Sequence, residues 1–169
     1  MKTWVIGAIC AAACAQGLEP FTMDHRHAAA PAIDLSTTTP AGKNGFVHVA
    51  EGHLVEGAGK RIRFWGVNVT DWSRGSVMIP SREDAPMYAS TLARFGVNCV
   101  RLHFLDLTTP RGLIDSSKDD TRSFDKEQLD RLDSWIAQLI HHGIYVDLNL
   151  NVGRSYKVAD GVKDPDRIQ

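Results

Sequence analysis

Basic residues are in no excess in this sequence: 19 lysines and arginines stand against 20 aspartates and glutamates in 169 residues, a net charge of −1. Such a chain has no surplus positive field to collect phosphates, which argues against nucleic acid as its partner. Long apolar runs are missing as well. None reaches the ~18–20 residues that cross a bilayer, so no membrane span is expected. Cysteine is scarce, with Cys10, Cys14 and Cys99 alone, too few for a disulfide framework. Neither G-x-G-x-x-G nor a Walker motif occurs, which removes the main support for a dinucleotide or P-loop site. His25 and His27 form no metal-ligand pattern with a partner, so neither a metal nor a cofactor is expected. What remains is 43% hydrophobic and 23% charged, the profile of one folded domain.

The N-terminus reads as an address. Lys2 precedes an uncharged apolar stretch from Trp4 to Ala13, and Ala13-Cys14-Ala15 has the small-residue spacing of a cleavage site. A basic start, a short apolar core and a small-residue end predict a signal peptide over residues 1–15, and a secreted or periplasmic protein. A lipoprotein anchored through Cys14 stays open, although Ala11 stands where such signals usually carry Leu. Cleavage after Ala15 leaves Cys99 as the lone cysteine, in an apolar strand pattern that predicts an inert thiol. Residues 16–45, rich in Ala, Pro, Ser and Thr without a period, read as a flexible leader or linker. The domain proper is expected over residues 46–169.

That domain opens with short alternating runs separated by glycine, Phe46–Ala50 and His53–Glu56 forming a hairpin about Glu51-Gly52. A strand-helix rhythm follows. Arg61–Val69 leads into a helix that Ser81 can cap, with Ala85, Tyr88, Ala89 and Leu92 as its inward stripe. Gly96 stops it, and Val97–Leu105 is a strand. Asp125 and Gln128 then resemble a capping box, and Leu129, Leu132, Ile136, Leu139 and Ile140 make one apolar face. Gly143 ends this second helix before the strand Ile144–Leu150. Strand, helix, strand, helix, strand predicts a parallel sheet with crossover helices.

Polar residues interrupt these strands on one side only. Cys99, Arg101 and His103 share a face opposite Val100, Leu102 and Phe104; Asp147, Asn149 and Asn151 share one opposite Val146, Leu148 and Leu150. A parallel strand buried on both sides is apolar throughout, so polar C-terminal strand ends mark a ligand site. The long segments Thr70–Pro80 and Asp106–Ser123, against single-glycine returns, suggest a (β/α)-barrel with its site on the loop-rich side.

Phe64-Trp65-Gly66-Val67-Asn68, the run Leu92–His103 and Gly143–Asn149 together resemble the opening of the cellulase-like, family 5-like glycoside hydrolases of clan A. The resemblance spans roughly residues 46–156. It implies the N-terminal part of a (β/α)8 barrel, three strands and two helices behind a short hairpin, with the rest of that barrel as the missing partner. It implies a secreted retaining hydrolase of O-glycosidic bonds in β-linked polysaccharide or oligosaccharide. Arg101 matches the arginine those enzymes keep at the end of strand two, where it would hold a carboxylate ionised. His103, Asn68, Asn149 and Asn151 are expected near substrate, with Asn149 standing where family members commonly carry His. Trp72 and Tyr156 can stack on sugar rings or anchor loops.

Retaining enzymes of this kind need two carboxylates ~5–5.5 Å apart. The family supplies them as glutamates on strands four and seven, and no Glu occurs between Gly153 and Gln169. The resemblance therefore implies an acid/base and a nucleophile beyond residue 169, and a chain inactive by itself. The alternative is a small secreted carbohydrate-binding or interaction protein without catalysis.

Overall fold

The computed structural model describes residues 34–57 and 59–168. The signal peptide expected over residues 1–15 lies outside the described residues, as do Cys10 and Cys14. Strands β1 (Val47–Ala50) and β2 (His53–Glu56) pair antiparallel. Glu51 and Gly52 turn between them with φ of 50° and 73°, the left-handed geometry that a tight reversal needs. A short β3 (Lys60–Arg61) joins the far side of β2, so the expected hairpin is a three-stranded sheet.

The second sheet has four strands in the order β5-β4-β6-β7. Strands β4 (Gly66–Asp71), β6 (Cys99–Leu102) and β7 (Tyr145–Leu148) run parallel, and β5 (Ser76–Val77) runs antiparallel along β4. Helix α1 (Ala85–Arg94) connects β5 to β6, and helix α2 (Lys126–His141) connects β6 to β7.

The expected fold class, part of a (β/α)8 barrel, is thereby corrected. The described residues form two helices and two small sheets, a mixed α/β arrangement and no section of a barrel. The physical reason lies at the β4 edge. A barrel wall needs another parallel strand there, but the chain after β4 folds straight back as β5. Thr70 Oγ1 donates to the Ser76 carbonyl at 2.9 Å, and Arg111 donates to the Gly75 carbonyl from Nε and Nη2 at 3.0 and 2.7 Å. These bonds hold the return strand on the edge and leave the sheet mixed and open.

Both helices pack on one side of this sheet. Ala85, Ala89 and Ala93 of α1 and Leu132, Trp135 and Leu139 of α2 share a core with Val100, Leu102 and Ile144. The alanines allow close approach, and Tyr88, expected in that stripe, is exposed while Ala93 is buried. Helix α2 starts as its sequence predicts, with Asp125 accepting the Gln128 N–H at 2.9 Å. Helix α1 starts one turn later than Ser81. That hydroxyl accepts the Asp84 N–H at 3.1 Å, and Pro86 sits in the first turn, where no intrahelical donor is required.

Gly143 (φ 77°) follows α2 so closely packed that a Cβ would stand 2.3 Å from Thr37 Cγ2. Residues 34–45 lie along this end of the sheet: Leu35 N–H donates to the Arg94 carbonyl and Ala41 N–H to the Ile140 carbonyl. Tyr145 completes the contact, donating to Glu56 Oε2 at 3.1 Å and accepting from Gly42 N–H at 3.2 Å.

Candidate functional site

With the helices on the apolar side of the four-stranded sheet, the other side is polar and open. Register sets its rows. Asn68 of β4 lies beside Arg101 of β6, and Arg101 beside Asp147 of β7. Period-two alternation then carries His103 and Asn149 to the next row, toward the C-terminal strand ends.

The side chains meet there. Arg101 Nε donates to Asn149 Oδ1 at 2.5 Å and lies 3.9 Å from Asp147 Oδ2. His103 Nδ1 approaches the same Asn149 oxygen at 3.4 Å. The Arg101 and Asp147 side chains are 44% and 58% exposed, so this ion pair is screened by solvent and is available to a ligand. Asn149 Oδ1 is thus the oxygen on which Arg101 and His103 converge.

Trp72 roofs this row. Its ring centroid lies 5.6 Å from those of both His103 and Phe104, tilted on the first and edge-on to the second, and 68% of the residue remains exposed. The turn beneath it is built by Asp71, whose Oδ1 accepts from Ser73 N–H at 3.0 Å and Ser73 Oγ at 2.6 Å. The Ser73 hydroxyl bond is the chief cause that holds the Asp71 carboxyl below its ordinary range.

Phe104 is a residue that alternation misplaces. Its expected side was the core face, with Val100 and Leu102. Instead it has φ 65°, a left-handed conformation uncommon for a bulky side chain, and this turns its ring onto His103 at 4.3 Å. The strand expected over Val97–Leu105 accordingly stops at Leu102. No Gly or Asn marks the position, so the sequence carries no signal for it.

The remaining expected contacts stand elsewhere. Asn151 is exposed just after β7, and Tyr156 is half-buried with the Arg154 guanidinium 4.8 Å from its ring centroid. The segment holding both is anchored by Asp106, 8% exposed, whose carboxylate accepts the N–H groups of Val152, Gly153 and Arg154. Sequence reasoning missed Asp106. Its signal was an acid between Leu105 and Leu107, where burial is the rule and a charge needs fixed partners. Asn98 was missed too: it ties Trp65 N–H and the Arg63 carbonyl at 2.7 and 2.8 Å, fixing the entry to β4.

Cys99 lies half-buried on the polar side, and burial, reinforced by the Asp147 charge, raises its thiol pKa. Both causes favour the protonated thiol over the nucleophilic thiolate. His141 and His142 end α2, where a charge would favour the helix dipole. Burial, with His141 as a second cause, lowers the His142 pKa and favours its neutral form instead.

Among the described residues no group of three His, Cys, Asp or Glu side chains is placed to hold a metal ion. No described helix is long and apolar enough to cross a membrane. The four described glutamates stand outside the Trp72 row: Glu51 turns between β1 and β2, Glu56 bonds Tyr145, Glu83 precedes α1, and Glu127 is in the first turn of α2. Comparison of the chain with protein-family models, curated proteins and solved structures finds no match.

Proposed function

We propose that this chain binds β-linked polysaccharide or oligosaccharide on the polar side of the β4-β6-β7 sheet, as the glycan-binding part of a secreted retaining glycoside hydrolase. One observation carries the reading. An exposed indole lies against His103, which meets Asn149, and Asn149 in turn accepts from Arg101 beside Asp147. A pyranose presents an apolar face of C–H groups and a rim of hydroxyls, each both donor and acceptor. The Trp72 face suits the first, and the amide, carboxylate and guanidinium suit the second. The near-neutral net charge and the Arg101–Asp147 pairing disfavour a strongly anionic ligand.

Chemistry at such a surface needs a proton donor and a nucleophile. Asp147 is assigned to neither role, since it pairs with Arg101, Nε to Oδ2 at 3.9 Å. The cleavage step therefore belongs to glutamates that the resemblance puts beyond residue 169, and Arg101 is assigned to orienting polar groups. Export follows from the Lys2-to-Ala15 pattern. A second reading, glycan binding without catalysis, is favoured by the same solitary carboxylate.

The test is calorimetric titration of the full chain with cellohexaose and mannohexaose. Trp72→Ala should weaken binding about tenfold, since the indole contributes roughly 1.5 kcal/mol or more of buried apolar contact. Unchanged affinity in that variant, or no affinity in the parent chain, overturns the reading. Hydrolysis of either sugar by this chain would overturn the assignment of the carboxylates.

A further inference from the structure

Asp106 makes a link that the glycan surface itself does not use. It lies in the loop leaving β6, buried, and a single oxygen, Oδ2, accepts three backbone N–H groups: Val152 at 2.7 Å and Gly153 and Arg154 at 3.1 Å. Its other oxygen, Oδ1, is buried without a hydrogen-bond partner among the described residues. Successive N–H groups converging on one point form the kind of concavity that elsewhere binds an anion. Here the anion is supplied by the neighbouring loop of the same chain. Gly153 sits at the centre of the concavity, and a Cβ there would meet Leu107 Cδ2 at 3.1 Å.

Beyond the concavity the chain is tied a second time. Arg154 donates from Nε to Thr121 Oγ1 at 2.8 Å and from Nη2 to the Thr121 carbonyl at 2.7 Å. Thr121 donates to both oxygens of Asp160, from its N–H at 2.7 Å and its hydroxyl at 2.9 Å, and Asp160 also accepts the Lys157 N–H. The segment after β7 is thus closed against the loop after β6 at both ends. Asn151 immediately precedes the three donors, and Tyr156 follows them with its ring under Arg154.

We infer that Asp106 is the positioning residue that sets Asn151 and Tyr156 as a second contact region for glycan, next along the strand ends from the Trp72 row; the inference rests on the glycan reading of the preceding section. A carboxylate suits this role because one oxygen must satisfy three part-buried donors that converge on it. Asparagine retains an acceptor oxygen of lower charge. Alanine retains none.

The experiment uses the full chain and its Asp106→Ala, Asp106→Asn and Tyr156→Ala variants. Trypsin cleavage after Arg154, read by mass spectrometry against cleavage after exposed Arg82, reports whether the segment is held. Calorimetry with cellohexaose and mannohexaose reports binding. Asp106→Ala should accelerate Arg154 cleavage at least tenfold and weaken binding about tenfold, while Arg82 cleavage stays constant. Asp106→Asn should recover most of both, and adding it to Tyr156→Ala should cost little further affinity. Should Asp106→Ala not fold, Asp106→Asn carries the comparison, with cleavage and affinity expected to shift together by about threefold. Affinity that survives loss of Arg154 protection overturns the positioning role, and so does unchanged protection. A parent chain that binds neither sugar overturns the glycan reading as well, and the Arg154 cleavage rates then still decide whether the clamp exists.

Discussion

Arg101 shows how a single side chain can belong to two strands. It is carried by β6, yet its polar contacts lie on the neighbouring strand, Asp147 in β7 and Asn149 just past its end. Truncating it removes a charged hydrogen bond from a surface whose fold rests on the opposite face. Arg101→Ala should therefore lower glycan affinity by roughly 10–100-fold, the range of a lost charged hydrogen bond of ~1.5–3 kcal/mol, and leave the melting temperature within a few degrees of the parent. A large drop in melting temperature would make Arg101 a structural residue.

Asp160 makes a different residue-scale prediction. The Thr121 backbone N–H is the chief cause that brings its carboxyl from the ordinary 3.8 down to about 2, with the Lys157 N–H, the Thr121 hydroxyl and the Arg154 charge adding to it. A carboxyl depressed on folding stabilises the folded state fully above its unfolded pKa and loses that contribution as protons bind. The affected window runs from just above pH 3.8 down to about pH 2. Urea midpoints measured from pH 5 to pH 2 should fall less steeply in Asp160→Asn than in the parent. Parallel curves would show that Asp160 has no part in acid unfolding.

Among the elements, α2 carries the largest share of the core. Trp135 is 1% exposed and Leu139 is fully buried against the sheet. Trp135→Ala should cost about 3–5 kcal/mol in urea unfolding, the usual range for emptying such a site. The turn after α2 is equally exacting. Gly143→Ala would force a left-handed φ on an alanine and drive its Cβ into Thr37 and the Thr39 carbonyl, 2.9 Å away. A loss of at least ~1 kcal/mol is expected, partly recovered by Thr37→Ser, which deletes the nearer methyl. Absence of recovery would mean that backbone conformation alone sets the cost.

Element-scale reading from the sequence worked where a local period exists. The face of α2 is legible in Leu132 and Leu139, which recur at helical spacing and are buried. Trp135, outside the expected face, is buried as well, while Ile140, within it, is exposed. The polar rows of β6 and β7 are legible because alternation of two residues leaves Arg101 and Asp147 on one side. Phe104 escaped this logic, since a single left-handed residue breaks the period and no glycine announces it. The two-residue β5 escaped it too. It is too short to show a period, and the bonds that hold it come from Thr70 on the adjoining β4 and from Arg111, which is distant in sequence.

At the scale of the whole molecule, those few bonds decide the architecture. The alternation of strand and helix is compatible with several sheets, and the difference between them lies at the edges, here at the short β4–β5 hairpin. Here β5 occupies one edge antiparallel and β7 stands at the other, so the sheet is open and single-sided. The single-sidedness leaves Asn68, Arg101 and Asp147 facing solvent instead of a closed interior, and it leaves Trp72 free to meet a ligand. Asn151 and Tyr156 lie outside that row, because the loops that hold them are arranged by Asp106 and Asp160 and not by strand register.

The central claim is that Trp72 and the row beneath it contact sugar. Its most direct test is a two-dimensional proton–nitrogen spectrum of the four tryptophan side chains during titration with cellohexaose or mannohexaose. The Trp72 indole signal, assigned with Trp72→Phe, should shift saturably with one of the two sugars. The Trp135 signal, from the core, should stay in place. A saturable shift at another tryptophan with Trp72 unmoved, or no saturable shift at all, would contradict the account.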